Sequence, residues 1–171
     1  VNHLLRYAEG RRIAVLVNDF GDLAIDADLI QGQDGAVLNL SGGCVCCSFG
    51  SDLLGSLLQL SQRNPPPDVL LIESSGVALP AAVARTARLA QNIAVEGIIV
   101  VLDATTVRGH AADRFVGDTV TQQLHDADLF ILNKLDLIDQ NTESALRAWL
   151  STIKATAPII ANTASQVTAE L

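Results

Sequence analysis

Residues 129–136 read Leu-Phe-Ile-Leu-Asn-Lys-Leu-Asp. The stretch 129–132 is apolar without alternation and too short for a helical stripe, the pattern of a strand covered on both faces in a parallel sheet. At Asn133 the chain turns polar, so a loop rich in donors and acceptors begins where the strand stops. The same arrangement recurs along the sequence. Residues 13–17 run into Asn18-Asp19-Phe20-Gly21, 68–73 into Ser74-Ser75-Gly76, 95–102 into Asp103, and 158–161 into Asn162-Thr163. Helical segments fill the gaps. Pro80 opens one at a first-turn position, 105–128 is mostly helical with a break near Gly109 or Gly117, and 142–155 carries Trp149 on its apolar side. A helix over 1–9, its start lost, stops at Gly10, and another begins as the chain ends. Strand alternating with helix over crossover-length connections specifies an α/β fold with a mainly parallel sheet and helices on both faces. In such a sheet the polar strand ends converge on one edge, where open α/β sheets bind ligands.

With 171 residues the chain suffices for one domain with a sizeable core and is too short for two full ones. Apolar residues make up 49%, yet runs such as 97–102 are strand-length and none nears the roughly 20 continuous apolar residues of a membrane span. A net charge of −8 opposes a nucleic-acid surface, whose footprint is a basic patch. Small molecules, metal ions or proteins are the expected partners, with no nucleic acid and no membrane. Three cysteines in Cys-x-Cys-Cys spacing make a poor disulfide framework, and no signal peptide is visible. The thiols are therefore expected to be reduced, in a cytoplasm.

All three cysteines lie in Gly43-Cys44-Val45-Cys46-Cys47-Ser48. If 44–46 is extended, the Cys44 and Cys46 side chains share a face with Cα atoms roughly 7 Å apart. With metal–sulfur bonds of about 2.3 Å, both can close on one soft ion, and Cys47 at the bend can supply a third ligand. Core packing of small apolar thiols is the plainer reading, but packing gives no reason to collect every thiol in one loop. Asp34-Gly35 between the short runs 29–31 and 36–40 is a hairpin signal, which places the cysteines just past a strand of a small β-hairpin. Ser48 or Ser51 then caps a helix carrying Leu53, Leu54, Leu57, Leu58 and Leu60, and Asn64 with three prolines ends it.

The other strand ends carry chemistry of their own. The Asp136 carboxylate can accept from the ring N–H and exocyclic amino group of guanine, a donor pair that adenine lacks, and such a site discriminates strongly. The Lys134 stem can lie along a base while Asn133 ties loops together. A plain turn capped by Asp136 accounts for the tetrapeptide equally well. Glu73 can hold Mg²⁺ through water or orient an attacking water, and Gly76 can bring a backbone N–H to a γ-phosphate; an exposed strand end is the ordinary alternative for a lone Glu. Asp19 can face the metal or the phosphates, or serve as one of several loop carboxylates with Asp22, Asp26 and Asp28. His125, near Asp126 and Asp128, reads as a surface residue, and His3 and His110 have no ligand-like neighbours in sequence.

Taken together, N-D-F-G at 18–21, G-C-V-C-C at 43–47, E-S-S-G at 73–76 and N-K-L-D at 133–136 resemble the CobW-type family of P-loop GTPases. Relatives of that family include the nickel chaperone GTPases of urease and hydrogenase assembly. The likeness runs over essentially all 171 residues and implies a single nucleotide-binding domain over 1–171. It implies a GTPase whose nucleotide state, with Mg²⁺, governs binding of Zn²⁺ or Co²⁺ and delivery to a client metalloprotein, in cobalamin biosynthesis or zinc homeostasis. By the same resemblance Cys44, Cys46 and Cys47 are metal ligands, Glu73 is the catalytic or Mg-linked acid, and Asn133, Lys134 and Asp136 read guanine. A homodimer is left open. The loop 19–28, between phosphate edge and cysteines, is suited to act as a switch ordered by γ-phosphate and Mg²⁺.

Two departures stand out. The family usually carries Glu where this chain has Asp19, one methylene shorter. The phosphate-binding G-x-x-x-x-G-K-[ST] loop is absent from the sequence; in the family it immediately precedes a helix resembling 1–6, so the chain reads as cut just after it, and the family's C-terminal domain is not included. The 171 residues alone are expected to bind GTP weakly and hydrolyse it poorly, because the loop supplies the main phosphate donors and a Mg²⁺ ligand. A non-enzymatic metal or thiol-redox sensor with a degenerate nucleotide site is the alternative, and an ATP-using relative is disfavoured by Asp136.

Overall fold

The computed structural model describes residues 1, 10–17, 36–39 and 45–161, with backbone alone at 17, 36–39 and 45–52. They form two compact units. One holds the described residues up to Ala78 together with Ala82–Val95, and the other holds Leu79–Ala81 and the described residues from Glu96 to Ala161.

The first unit is built on β1 (Ile13–Val17), which lies between β2 (Ala36–Asn39) and β3 (Val69–Glu73). Both neighbours are parallel to it, with Val15 opposite Val37 on one side and Leu71 on the other. Parallel pairing needs crossover connections, and α1 (Val45–Ser61) leads from β2 to β3, with α2 (Pro80–Ala87) following β3. Side chains of β1 alternate between two clusters. Ala14 and Leu16 pack with Leu53, Leu57 and Leu60 of α1 and Val83 and Ala87 of α2. Ile13 and Val15 pack with Val69 and Leu71. The spacing of Leu53, Leu57 and Leu60 is that of one helical face, and truncating such a fully buried leucine costs about 2–5 kcal/mol. Gly10, with φ +82°, turns the chain into β1 in a conformation that side-chain-bearing residues rarely adopt.

The second unit repeats the plan around β5 (Leu129–Asn133), between β4 (Ile99–Asp103) and β6 (Ile159–Ala161), again all parallel. Its helices are α3 (Val107–Ala111), α4 (Gly117–Asp126) and α5 (Gln140–Ile153). Phe130 and Leu132 are fully buried in a cluster with Leu102, Val107, Leu124, Leu146 and Leu150. Trp149 packs on the edge of that cluster, with the Arg108 guanidinium 5.6 Å from its ring centre. The expected break in 105–128 falls between α3 and α4, and Gly117 makes the reversal possible. A Cβ there would stand 2.8 Å from the Ala111 carbonyl oxygen. Asp139 caps α5, accepting from the Thr142 N–H at 2.8 Å.

Strands expected at 13–17, 36–40, 68–73, 95–102, 129–132 and 158–161 are thus all present, most shifted or trimmed by a few residues at an end. The hairpin expected between 29–31 and 36–40 has its first arm and its turn outside the described residues; within them, β2 pairs with β1 in parallel. One expectation is corrected. The cysteine segment is not an extended loop through Cys46. α1 begins at Val45, so Cys46 and Cys47 occupy its first turn, ahead of Ser48 and Ser51. The apolar period explains this, because Val45, Phe49, Leu53 and Leu57 recur every fourth residue and continue the helical pattern upstream. The helices expected at 1–9 and after 163 lie outside the described residues. Among the described residues no helix is long and apolar enough to cross a membrane.

Candidate functional site

Register places the strand ends level within each unit. In the first, Val17 stands opposite Asn39 and Glu73; in the second, Asp103 stands opposite Asn133. The segments that follow Glu73, Asp103 and Asn133 therefore leave each sheet at its carboxyl edge.

In the first unit Glu73 is the exposed last residue of β3, after four half-buried apolar residues. The chain then bends through Ser74-Ser75-Gly76, closed by the Ala78 N–H donating to the Ser75 carbonyl at 3.0 Å. The Ser75 hydroxyl is buried without a hydrogen-bond partner among the described residues. A Cβ at Gly76 would meet no atom of the described residues within 4 Å. Cys46 and Cys47 sit in the first turn of α1, which carries no acidic residue. Cys44 and Asp19 lie outside the described residues. Among the described residues no three His, Cys, Asp or Glu side chains gather as a metal site.

In the second unit Asn133 ends β5 half-buried, with its side-chain oxygen enclosed. Lys134 adopts the left-handed conformation, φ 62° and ψ 35°, at a cost of about 1–2 kcal/mol for a residue with a Cβ. The turn it makes leads into a short 3-10 segment, Leu135–Leu137, on which Asp136 is exposed. No described residue hydrogen-bonds the Asp136 carboxylate, so both its oxygens are open to donors from outside. That is the condition a guanine edge requires.

A residue given no role on sequence grounds holds this loop in place. Asp103, the last residue of β4, receives the Lys134 ammonium on Oδ2 at 2.6 Å. Its Oδ1 accepts from the Thr105 hydroxyl at 2.6 Å and the Thr105 N–H at 2.9 Å. The hydrogen bond from Lys134 first, and those from Thr105 next, hold the Asp103 carboxyl down to about 2. The Ala104 N–H also donates to the Asn133 carbonyl at 3.0 Å, joining the two loops through the backbone. A carboxylate at a strand end with threonine two residues later is a local turn signal, and that is what the sequence offered for finding Asp103.

Comparison with known proteins bears on the family and the fold. The family model described as CobW/HypB/UreG, nucleotide-binding domain, matches residues 1–161. The chain is 32% identical to a protein named zinc chaperone CobW from Sinorhizobium sp., over 86% of this chain and 49% of that protein. It is also 32% identical to the zinc chaperone YjiA of Escherichia coli K12, over 93% of this chain and 51% of the relative. The chain thus spans about half the length of the curated relatives it matches. In fold it resembles the Zn(II)-bound crystal structure of the E. coli YjiA GTPase, with a TM-score of 0.68 at 23% identity, covering 97% of this chain and 55% of that one. Parallel sheets with crossover helices, polar strand ends and a match over nearly the whole length lead to one conclusion: the chain belongs to the CobW/HypB/UreG family of nucleotide-binding domains.

Proposed function

We propose that residues 1–171 are the nucleotide-binding domain of a GTP-hydrolysing metallochaperone that takes up zinc or cobalt and passes it to a client metalloprotein. The observation that carries this reading is the open Asp136 carboxylate on a loop held at the end of β5, in a chain whose relatives are named zinc chaperones. Asp136 accepts the paired guanine donors, the Lys134 stem supports the base, and Asn133 links the loop to its neighbours. Glu73 orients water for attack on the γ-phosphate, with the Gly76 backbone approaching the same phosphate. Bound Mg²⁺ would neutralise charge on the phosphates, and Glu73 and Asp19 are the carboxylates offered to it. Cys44, Cys46 and Cys47 supply the thiolates for the metal cargo, a donor set suited to Zn²⁺ or Co²⁺.

The test is to load the full-length protein with Zn²⁺ or Co²⁺ in the presence of Mg-GTP and measure metal stoichiometry beside GTP turnover. Replacing all three cysteines by serine should abolish stoichiometric metal while leaving GTP binding within about twofold of wild type. Metal retained at full stoichiometry by the triple variant would refute the ligand assignment. The 171 residues tested alone, without a G-x-x-x-x-G-K-[ST] loop, should hold GTP weakly. Transfer of metal to a client should depend on whether GTP or GDP is bound; equal metal affinity in both states would remove the coupling from the account.

A further inference from the structure

The ion pair between Asp103 and Lys134 is half-exposed, with 29% of the Asp103 side chain and 52% of the Lys134 side chain accessible. Pairs in such surroundings add little to stability, so folding alone gives a weak reason for the geometry around it. That geometry is nevertheless well determined. Thr105 fixes Oδ1 of Asp103 through both its hydroxyl and its N–H, which leaves Oδ2 for the lysine. Lys134 accepts an unfavourable left-handed backbone, and the Asn133 carbonyl before it is tied to the Ala104 N–H. A lysine side chain has among the largest rotamer freedom to lose, and here its far end is anchored before any ligand arrives.

We propose that Asp103 is a positioning residue of the nucleotide site: anchored by Thr105, it holds the Lys134 ammonium so that the lysine stem is already in place beside Asp136 when a guanine base binds. The proposal rests on the reading of Asn133, Lys134 and Asp136 as the guanine loop. Asp103 does not touch the base. It lowers the ordering cost of the residue that does, the general route by which preorganisation raises affinity. Thr105 supports it one step further out.

The experiment is titration of GDP and of inosine diphosphate into the full-length protein, with thermal melting of every variant. Inosine diphosphate keeps the ring N–H and lacks the exocyclic amino group, so the ratio of the two affinities reports on Asp136. Asp103→Asn keeps the size and removes the charge; it should weaken both nucleotides about tenfold and leave their ratio unchanged. Thr105→Val should weaken both about threefold. In a Lys134→Met background, Asp103→Asn should add nothing, because the partner it positions is gone. Asp103→Glu, which keeps the charge, should recover part of the loss. The proposal is overturned if Asp103→Asn binds GDP within twofold of wild type, if its loss persists undiminished beside Lys134→Met, or if the nucleotide ratio collapses with the melting point. Asp136→Asn separates the two levels. If that variant leaves the ratio untouched, the guanine reading fails and this proposal with it; if it shifts the ratio while Asp103→Asn changes nothing, only the role of Asp103 fails.

Discussion

Where the strands of the first sheet begin, Asp68 accepts the Arg12 N–H at 2.9 Å and returns its own N–H to the Arg12 carbonyl at 2.8 Å. Where those of the second begin, Asp128 accepts the Ile98 N–H at 2.9 Å and returns its N–H to the Ile98 carbonyl at 2.8 Å. An aspartate before the later strand thus closes the ladder at both starting ends. The finishing ends have no such common device. In the second unit Asp103, Thr105 and Lys134 lock the loop that carries Asp136. In the first, Glu73 stands exposed at the strand end and no described residue pairs with it. The difference teaches where to look for chemistry. Carboxylates at the starting ends accept hydrogen bonds from the protein, whereas those of Glu73 and Asp136 bond to no described residue.

The largest effect expected from breaking this contrast is on turnover. Glu73→Gln should lower GTP hydrolysis by the full-length protein by about 10²–10⁴, the range for loss of a positioned general base, with GDP affinity and melting temperature close to wild type. Turnover kept within threefold would make Glu73 an ordinary strand end. Gly117→Ala acts away from both ends, forcing a methyl group against the Ala111 carbonyl. It should destabilise by about 1–3 kcal/mol in denaturant unfolding with nucleotide affinity preserved per folded molecule; an unchanged midpoint would show that the α3–α4 reversal relaxes freely. Asp68→Asn should lower the melting temperature slightly and leave GTP turnover untouched, whereas any selective loss of turnover would place chemistry at the starting end.

The smallest effect is on acid stability. The Asp68 carboxyl, hydrogen-bonded first of all by the Arg12 side chain, and the Asp103 carboxyl, by Lys134, are each lowered to about 2. A carboxyl whose folded value lies below its unfolded value stabilises the fold above the unfolded value, about 3.9, and loses that contribution as pH falls toward 2. Because both groups are substantially solvated, screening keeps the effect modest. Replacing both by Asn should flatten the stability profile between pH 4 and pH 2 as followed by circular dichroism, and an identical slope would show that other carboxyls govern acid unfolding.

Much of the architecture could be read from apolar runs ending in polar residues. Residues 129–132 and 13–17 are uninterrupted apolar runs, the pattern of parallel strands packed under helices, and the polar residue after such a run marks Glu73 and Asn133 as strand ends. The parallel partner of β1 was harder to foresee. Asp34-Gly35 is a local turn signal, while the pairing of Ala36–Asn39 with β1 is a long-range contact that no neighbouring residue encodes. The start of α1 was misplaced because two serines offered caps inside a helix whose apolar period had already begun at Val45. Asp103 was visible as a strand-end carboxylate, but its partner is 31 residues away, and spacing in sequence says nothing about which lysine will meet it.

The guanine reading of Asp136 is tested most directly by competition of GTP, ATP and xanthosine triphosphate against a labelled guanine nucleotide on the full-length protein and on its Asp136→Asn variant. Wild type should prefer GTP over ATP by at least about a hundredfold. The variant, now presenting an amide N–H where a carboxylate accepted, should lose that preference and gain affinity for xanthosine triphosphate, whose 2-position is a carbonyl. ATP competing as well as GTP on the wild-type protein, or a GTP preference that survives in Asp136→Asn, would contradict the account.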